Sequence, residues 1–194
     1  MMKLHHFFNI PNILCYIRIL LIPFFIIIYI HATGTKDFMI AALLIALSGI
    51  TDFADGFIAR NFNMITEIGK ILDPLADKLT QAAIVFCLMF RFEEMIFVTI
   101  IFIIKEVFMG VSSMILLKRG KKIDGAKWFG KVSTTVFYFV MIVLIGLPTL
   151  PLIYANALLG IAGGFLLLSF FLYIPVFITL FHKSNMERKN ESIS

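Results

Sequence analysis

TDFADGFIARNFNMITEIGKILDPLADK, running from Thr51 to Lys78, places four aspartates inside sequence that is otherwise lipid-soluble. Asp52, Asp55, Gly56, Ala59 and Arg60 fall at i, i+3, i+4, i+7 and i+8, which is one face of a helix. Gly69, Asp73 and Asp77 fall at i, i+4 and i+8, one face of a second helix. A short polar turn, Asn61 to Glu67, lies between them. Two antiparallel helices joined there point all four carboxylates at one another, roughly two helical turns deep. Four bare anions cannot share an apolar cleft, so protons or cations must compensate them. Bound divalent metal is the favoured compensation.

The surrounding chain explains why these acids are exceptional. It has 194 residues, of which 60% are hydrophobic and 22 are Phe. Its mean hydropathy is +0.98, and soluble domains average only about 45–50% apolar residues. The class expected is an all-α integral membrane protein with one membrane domain over 1–181 and a cytoplasmic polar tail, expected to be disordered, over 182–194. The formal charge of +5 suits a basic membrane surface. No aromatic–basic interleaving supports nucleic-acid binding. Cys15 and Cys87 lie in separate apolar runs and read as plain lipid- or core-facing residues.

Six spans are expected, over 13–31, 37–60, 68–90, 95–117, 128–147 and 155–181, each near the roughly 20 residues a bilayer requires. Residues 1–10, with Leu4, Phe7, Phe8 and Ile10 beside Lys3 and two His, suit a short interfacial helix. Lys118, Arg119, Lys121, Lys122 and Lys127 crowd the fourth loop, and Lys183, Arg188 and Lys189 follow the last span. The opposite side carries Lys36 and Arg91. The bias of positive charge toward the inside places both termini and the acidic face in the cytoplasm, with the bundle in the inner membrane.

Intramembrane charges default to functional candidates. Besides the aspartates they are Arg18, Lys70, Lys78, Lys105, Glu106 and Lys131. Oxygen donors without a soft neighbour suit Mg2+ or Mn2+. Asp52, Asp55, Asp73 and Asp77 have the capacity for two ions, and paired metals clamp a phosphoryl group. Gly56 and Ala59 leave room for a bulky group against the backbone, or let two spans pack closely. Arg60 suits a phosphate, or simply sets topology. Lys105 beside Glu106 reads equally as an ion pair or a substrate contact. Gly160, Gly163 and Gly164 form a small-residue patch, for packing within the protein or for a dimer contact.

The spacing Asp52-x-x-Asp55-Gly56-x-x-Ala59-Arg60, eight residues, Gly69, three residues, Asp73, three residues, Asp77 resembles the full signature of the CDP-alcohol phosphotransferase family. The resemblance implies a six-transmembrane-helix bundle, a homodimer, and a site facing the cytoplasm. It also implies that Asp52, Asp55, Asp73 and Asp77 hold the metals and that Asp77 is the general base. Asp55, Gly56, Ala59, Arg60 and Gly69 are implied to line the nucleotide. The reaction implied is attack by an alcohol on the β-phosphorus of a CDP-linked lipid, with CMP leaving.

Asn9-Ile10-Pro11-Asn12-Ile13-Leu14 with Arg18, Leu72-Asp73-Pro74-Leu75-Ala76-Asp77-Lys78, and Gly130-Lys131-Val132 with Thr134-Thr135 resemble bacterial phosphatidylglycerophosphate synthases. That likeness implies CDP-diacylglycerol as donor and glycerol 3-phosphate as acceptor. Lys131 and Lys105 are the cations assigned to the acceptor's phosphate. Those synthases usually carry Arg-Glu where this chain has Lys105-Glu106. A cardiolipin synthase using phosphatidylglycerol is therefore the alternative. A membrane cation transporter is a third reading, disfavoured because its acids would spread across the membrane's depth.

Overall fold

Asn9 opens the first helix, its side chain accepting the N–H of Ile10 at 2.9 Å, with Pro11 in the first turn. Both are favoured where a helix begins. From there the computed structural model describes residues 9–62, 64, 66–119 and 127–191, with side chains except at Lys70 and over 187–191. Residues 1–8 of the expected interfacial helix, and Lys121 and Lys122 of the basic loop, lie outside the described residues.

Six helices follow one another: α1 (Ile10–Ile30), α2 (Thr35–Asn61), α3 (Gly69–Met89), α4 (Met95–Lys118), α5 (Trp128–Gly146) and α6 (Leu152–Glu191). No strand occurs among the described residues. α1, α2, α4, α5 and α6 are long and apolar enough to cross a membrane. α3 is as long as α1, but Lys70, Asp73, Asp77 and Lys78 fall within it and lower its hydropathy. Large apolar side chains face outward throughout, among them Phe53, Ile71, Phe90 and Ile153. A water-soluble surface does not carry so much apolar area. The protein is a multi-pass membrane protein.

The helix limits lie within three residues of the expected spans except at one end. α6 continues past Phe181 to Glu191, so the backbone over 182–191 is helical rather than disordered. The hydropathy that marks a span ends near Phe181. Helix formation has no such limit, and Met186, Glu187, Arg188 and Lys189 are all good helix formers.

The chain forms two compact units. One runs through Glu93 and includes Met141–Pro151; the other comprises Glu94–Val140 and the chain from Leu152 onward. In the first, α1 packs against both α2 and α3, while α2 and α3 scarcely touch each other. The two acid-bearing helices are thus not a directly packed pair, as their spacing suggested. The first helix is the wall between them. At the far end of this unit, Arg91 donates to the carbonyl of Pro148 and stacks over the ring of Phe38 at 4.8 Å.

The second unit is packed by α4 against α6. Leu116, Tyr173 and Phe177 are buried together, with Phe108 and Phe129 against them. The Phe129 and Tyr173 rings meet edge to face at 4.7 Å, and those of Phe108 and Phe177 at 5.4 Å. Gly163 faces Val98 and Ile101 of α4, so it serves packing within this unit. Between apolar helices in lipid, such packing replaces the hydrophobic effect as the source of association.

Tyr173 also accepts the N–H of Lys127 at 3.3 Å, just before α5 begins. A Cβ at Gly130 would run into the Tyr173 hydroxyl and stand 3.1 Å from two of its ring carbons. Gly130 is therefore required by this contact, whereas a Cβ at Gly110 meets nothing within 4 Å. We expect Gly130→Ala to lower stability by about 1–3 kcal/mol. Gly110→Ala should leave it unchanged or raise it by up to about 1 kcal/mol. Unfolding of both variants in the same detergent checks this.

Candidate active site

Four polar positions recur every third residue from the N-cap into α1: Asn9, Asn12, Cys15 and Arg18. Residues three apart are neighbours along a helix, so these form a stripe that winds slowly around the start of α1. Asn9 donates through Nδ2 to the carbonyl of Met64 at 3.0 Å, fastening the α2–α3 turn to this stripe. Thr66 Oγ1 donates to Asn12 Oδ1 at 3.2 Å and accepts the N–H of Gly69 at 3.0 Å. It thereby satisfies a backbone donor that the start of α3 leaves open. Gly69 has a physical reason to be glycine, since a Cβ there would stand 2.7 Å from Asn12 Oδ1.

Arg18 is the centre of the cluster. Its Nη1 lies 2.6 Å from Asp52 Oδ1 and 3.3 Å from Asp73 Oδ1. Its Nη2 bonds Asp55 Oδ2. Two nitrogens of one guanidinium thus engage three carboxylates from two helices. The Arg18 side chain is 2% exposed and that of Asp55 3%, while those of Asp52 and Asp73 are each 49% exposed. The cluster therefore has a closed floor and an open side.

Cys15, read from the sequence as a plain core or lipid-facing residue, belongs to this cluster. Its thiol donates to Asp55 Oδ2 at 3.3 Å. Ligand atoms of Cys15, Asp55 and Asp73 all lie within 4.8 Å of one another. The reason is its position one turn before Arg18, on the side of α1 that meets α2. The oxygen set read from the sequence thus has a sulfur beside it.

Asp55, Gly56, Ala59, Arg60, Gly69 and Asp73 line one cleft of about 160 Å³. Pro11, Asn12, Cys15, Met64 and Thr66 complete its wall. The residues expected at a nucleotide are therefore brought together. Gly56 provides space for Arg60 as well. A Cβ at that position would stand 3.4 Å from Arg60 Nη1, so the guanidinium lies back along the last turn of α2.

Asp77 stands one turn beyond Asp73. Both of its oxygens accept from Gln81 Nε2 at 3.3 Å, and Lys78 Nζ is 3.9 Å away. Lys105 and Lys131 belong to the other unit. Lys105 is buried, its Nζ donating to Glu106 at 2.9 Å. The ion pair weighed from the sequence is thus present. Lys131 is exposed in the first turn of α5.

Three carboxylates against one guanidinium leave two negative charges at the cluster. One divalent cation would balance them. Carboxylate oxygens, from two of the three acids at an open side, are donors of the kind that hard divalent ions prefer. The residues present therefore fit such an ion.

A family model described as CDP-alcohol phosphatidyltransferase matches residues 8–168. The chain belongs to that family, as the spacing of its aspartates indicated. The protein of Salmonella typhimurium (strain LT2) named CDP-diacylglycerol--glycerol-3-phosphate 3-phosphatidyltransferase is 33% identical over 172 residues. That match covers 86% of this chain and 93% of the relative. The proteins of the same name from Salmonella paratyphi A and Escherichia coli K12 match with the same identity and coverage.

The differing burial of the carboxylates predicts differing roles in stability. Asp55→Asn leaves a buried guanidinium with a weakened partner in its least solvated contact. We expect it to cost about 2–4 kcal/mol. Asp52→Asn, at the open side where water can replace the lost charge, should cost about 1 kcal/mol or less. Thermal unfolding of the two variants in detergent without metal measures the difference, and equal losses would contradict the buried-floor description.

Proposed function

We propose that this protein transfers a phosphatidyl group from CDP-diacylglycerol to sn-glycerol 3-phosphate, releasing CMP and forming phosphatidylglycerol phosphate. The observation that carries the proposal is the cleft in which Asp55, Gly56, Ala59, Arg60, Gly69 and Asp73 meet beside the Arg18 cluster. The names of the curated relatives support this donor and acceptor. They favour glycerol 3-phosphate over phosphatidylglycerol. Acids gathered about one guanidinium, rather than strung across the membrane's depth, argue against an ion path.

In this reading Asp52, Asp55, Asp73 and Asp77 are the residues that hold Mg2+ or Mn2+, as one ion or a pair. The metal, when bound, supplies neutralisation of the pyrophosphate and of the charge that develops on departing CMP. Arg60 at the mouth of the cleft holds a phosphate oxygen through its fork of donors. Gly56 and Ala59 give the nucleotide access to the α2 backbone, and Gly69 does so at the start of α3. Asp77, one turn beyond Asp73 on α3, takes the proton of the acceptor hydroxyl as it attacks phosphorus. The Gln81 amide orients its carboxylate. Lys131 and Lys105 hold the acceptor's phosphate.

The same reading places the site and both termini at the cytoplasmic face of the inner membrane, supported by the basic residues at 118–122, 127 and 183–189. It also makes the protein a homodimer. Gly160 and Gly164, one turn apart on α6, meet no neighbour within 4 Å among the described residues. They offer a surface against which a second copy can pack closely.

Purified protein in lipid, supplied with CDP-diacylglycerol and Mg2+, tests the proposal. We expect CMP release with glycerol 3-phosphate, no release with phosphatidylglycerol, and loss of turnover on chelation. Asp73→Asn should insert normally and release no CMP. Turnover with phosphatidylglycerol alone would reassign the protein to cardiolipin synthesis. Turnover retained by Asp73→Asn would remove that residue from the metal site.

A further inference from the structure

Arginines inside membrane helices usually reach the interface with their long side chains, or line water-filled paths. Arg18 does neither. It lies eight residues beyond Ile10, about 12 Å along α1, and its side chain is almost wholly enclosed. Three of its neighbours are the carboxylates to which metal binding is assigned above.

The way it is bonded is informative. A guanidinium has five N–H donors in a planar fork. Here the two terminal nitrogens carry all three carboxylate contacts. Nε, equally buried, has no hydrogen-bond partner among the described residues. Arg18 is thus held by charge at its tip rather than by a full set of bonds along its length. Its contacts fall on Asp52 Oδ1, Asp55 Oδ2 and Asp73 Oδ1, one oxygen of each acid. Asp52 and Asp73 also face the open side.

We propose that Arg18 is a built-in counter-cation: it holds the three aspartates together without metal and competes for their charge when a divalent ion binds. It is a positioning residue, and it sets the affinity of the metal site. The proposal rests on the metal-dependent reading above. It has a consequence that a merely structural tie lacks. Removing the positive charge weakens the metal-free protein, because three acids then face one another uncompensated. The same change makes the cluster more attractive to a divalent cation. Stability and metal affinity therefore move in opposite directions. A structural tie predicts that both fall, because a loosened cluster is a poorer ligand set.

The experiment compares full-length wild type, Arg18→Gln and Arg18→Lys in one detergent. Mn2+ affinity is read by titration with electron paramagnetic resonance, and thermal unfolding is followed with EDTA and with Mn2+. Loss of the bound signal in Asp73→Asn assigns the ion to this cluster. We expect Arg18→Gln to bind Mn2+ about tenfold or more tightly than wild type, to unfold at lower temperature in EDTA, and to gain more from Mn2+. Lysine keeps the charge but as a point that cannot span three carboxylates. Arg18→Lys should therefore fall between the two in affinity, and it carries the test if Arg18→Gln does not fold. Mn2+ affinity at or below wild type in the folded variants overturns the proposal and leaves the proposed reaction standing. Failure of wild type to bind Mn2+ overturns the metal reading and this proposal together.

Discussion

The contact of one guanidinium with three carboxylates is the constraint on which the first half of the chain depends. Apolar helices in lipid gain little by choosing one neighbour over another, because the tails are as apolar as they are. Arrangement is decided by polar ties and close packing. Arg18 reaches Asp52 and Asp55 on α2 and Asp73 on α3. It thereby sets the facing sides of three helices at one level. Asn9 and Asn12 fasten the same helix to the turn and to Thr66 beside the start of α3. The cleft is what remains where α1 holds α2 and α3 apart.

Much of this was legible in the sequence, and the limit of legibility has a physical cause. The spans follow from apolar runs of bilayer length. The faces of α2 and α3 follow from helical spacing within each segment, and the lining of the cleft by Gly56, Ala59, Arg60 and Gly69 agrees with it. The part played by α1 was hidden because the partners of Arg18 lie 34 to 55 residues away along the chain. Periodicity within α2 or α3 says nothing about which helix stands between them. Arg18 was evident as an intramembrane charge, but its partners were not. Cys15 is core-facing as expected, but its carboxylate neighbour was hidden for a related reason. A thiol in an apolar run gives no signal until the carboxylate opposite it is known. The three-residue recurrence of Asn9, Asn12, Cys15 and Arg18 was the available clue.

The second unit is assembled differently, and the contrast is instructive. Its contacts are chiefly aromatic, with Phe108, Phe129, Tyr173 and Phe177 meeting edge to face or tilted. Its buried Lys105 pairs with half-buried Glu106 within α4. A one-to-one pair carries no net charge. The first unit has no such closure, since one Arg18 faces three acids. An uneven charge count is expensive to keep in a membrane, and it is concentrated where the cleft opens.

Arginine suits this position for reasons that lysine would not meet. An ammonium is a compact charge that is strongly hydrated, and burying it is correspondingly unfavourable. A guanidinium is weakly hydrated and planar, and two of its nitrogens span acids from separate helices. The acids are also graded. Asp55 is enclosed and shares one oxygen between Arg18 and the Cys15 thiol, so it anchors the cluster. Asp52 and Asp73 are half exposed and each gives Arg18 a single oxygen. These two can turn toward a new cation at the open side while Asp55 keeps the arginine in place. A site built this way holds its shape through the anchored acid and adapts through the other two.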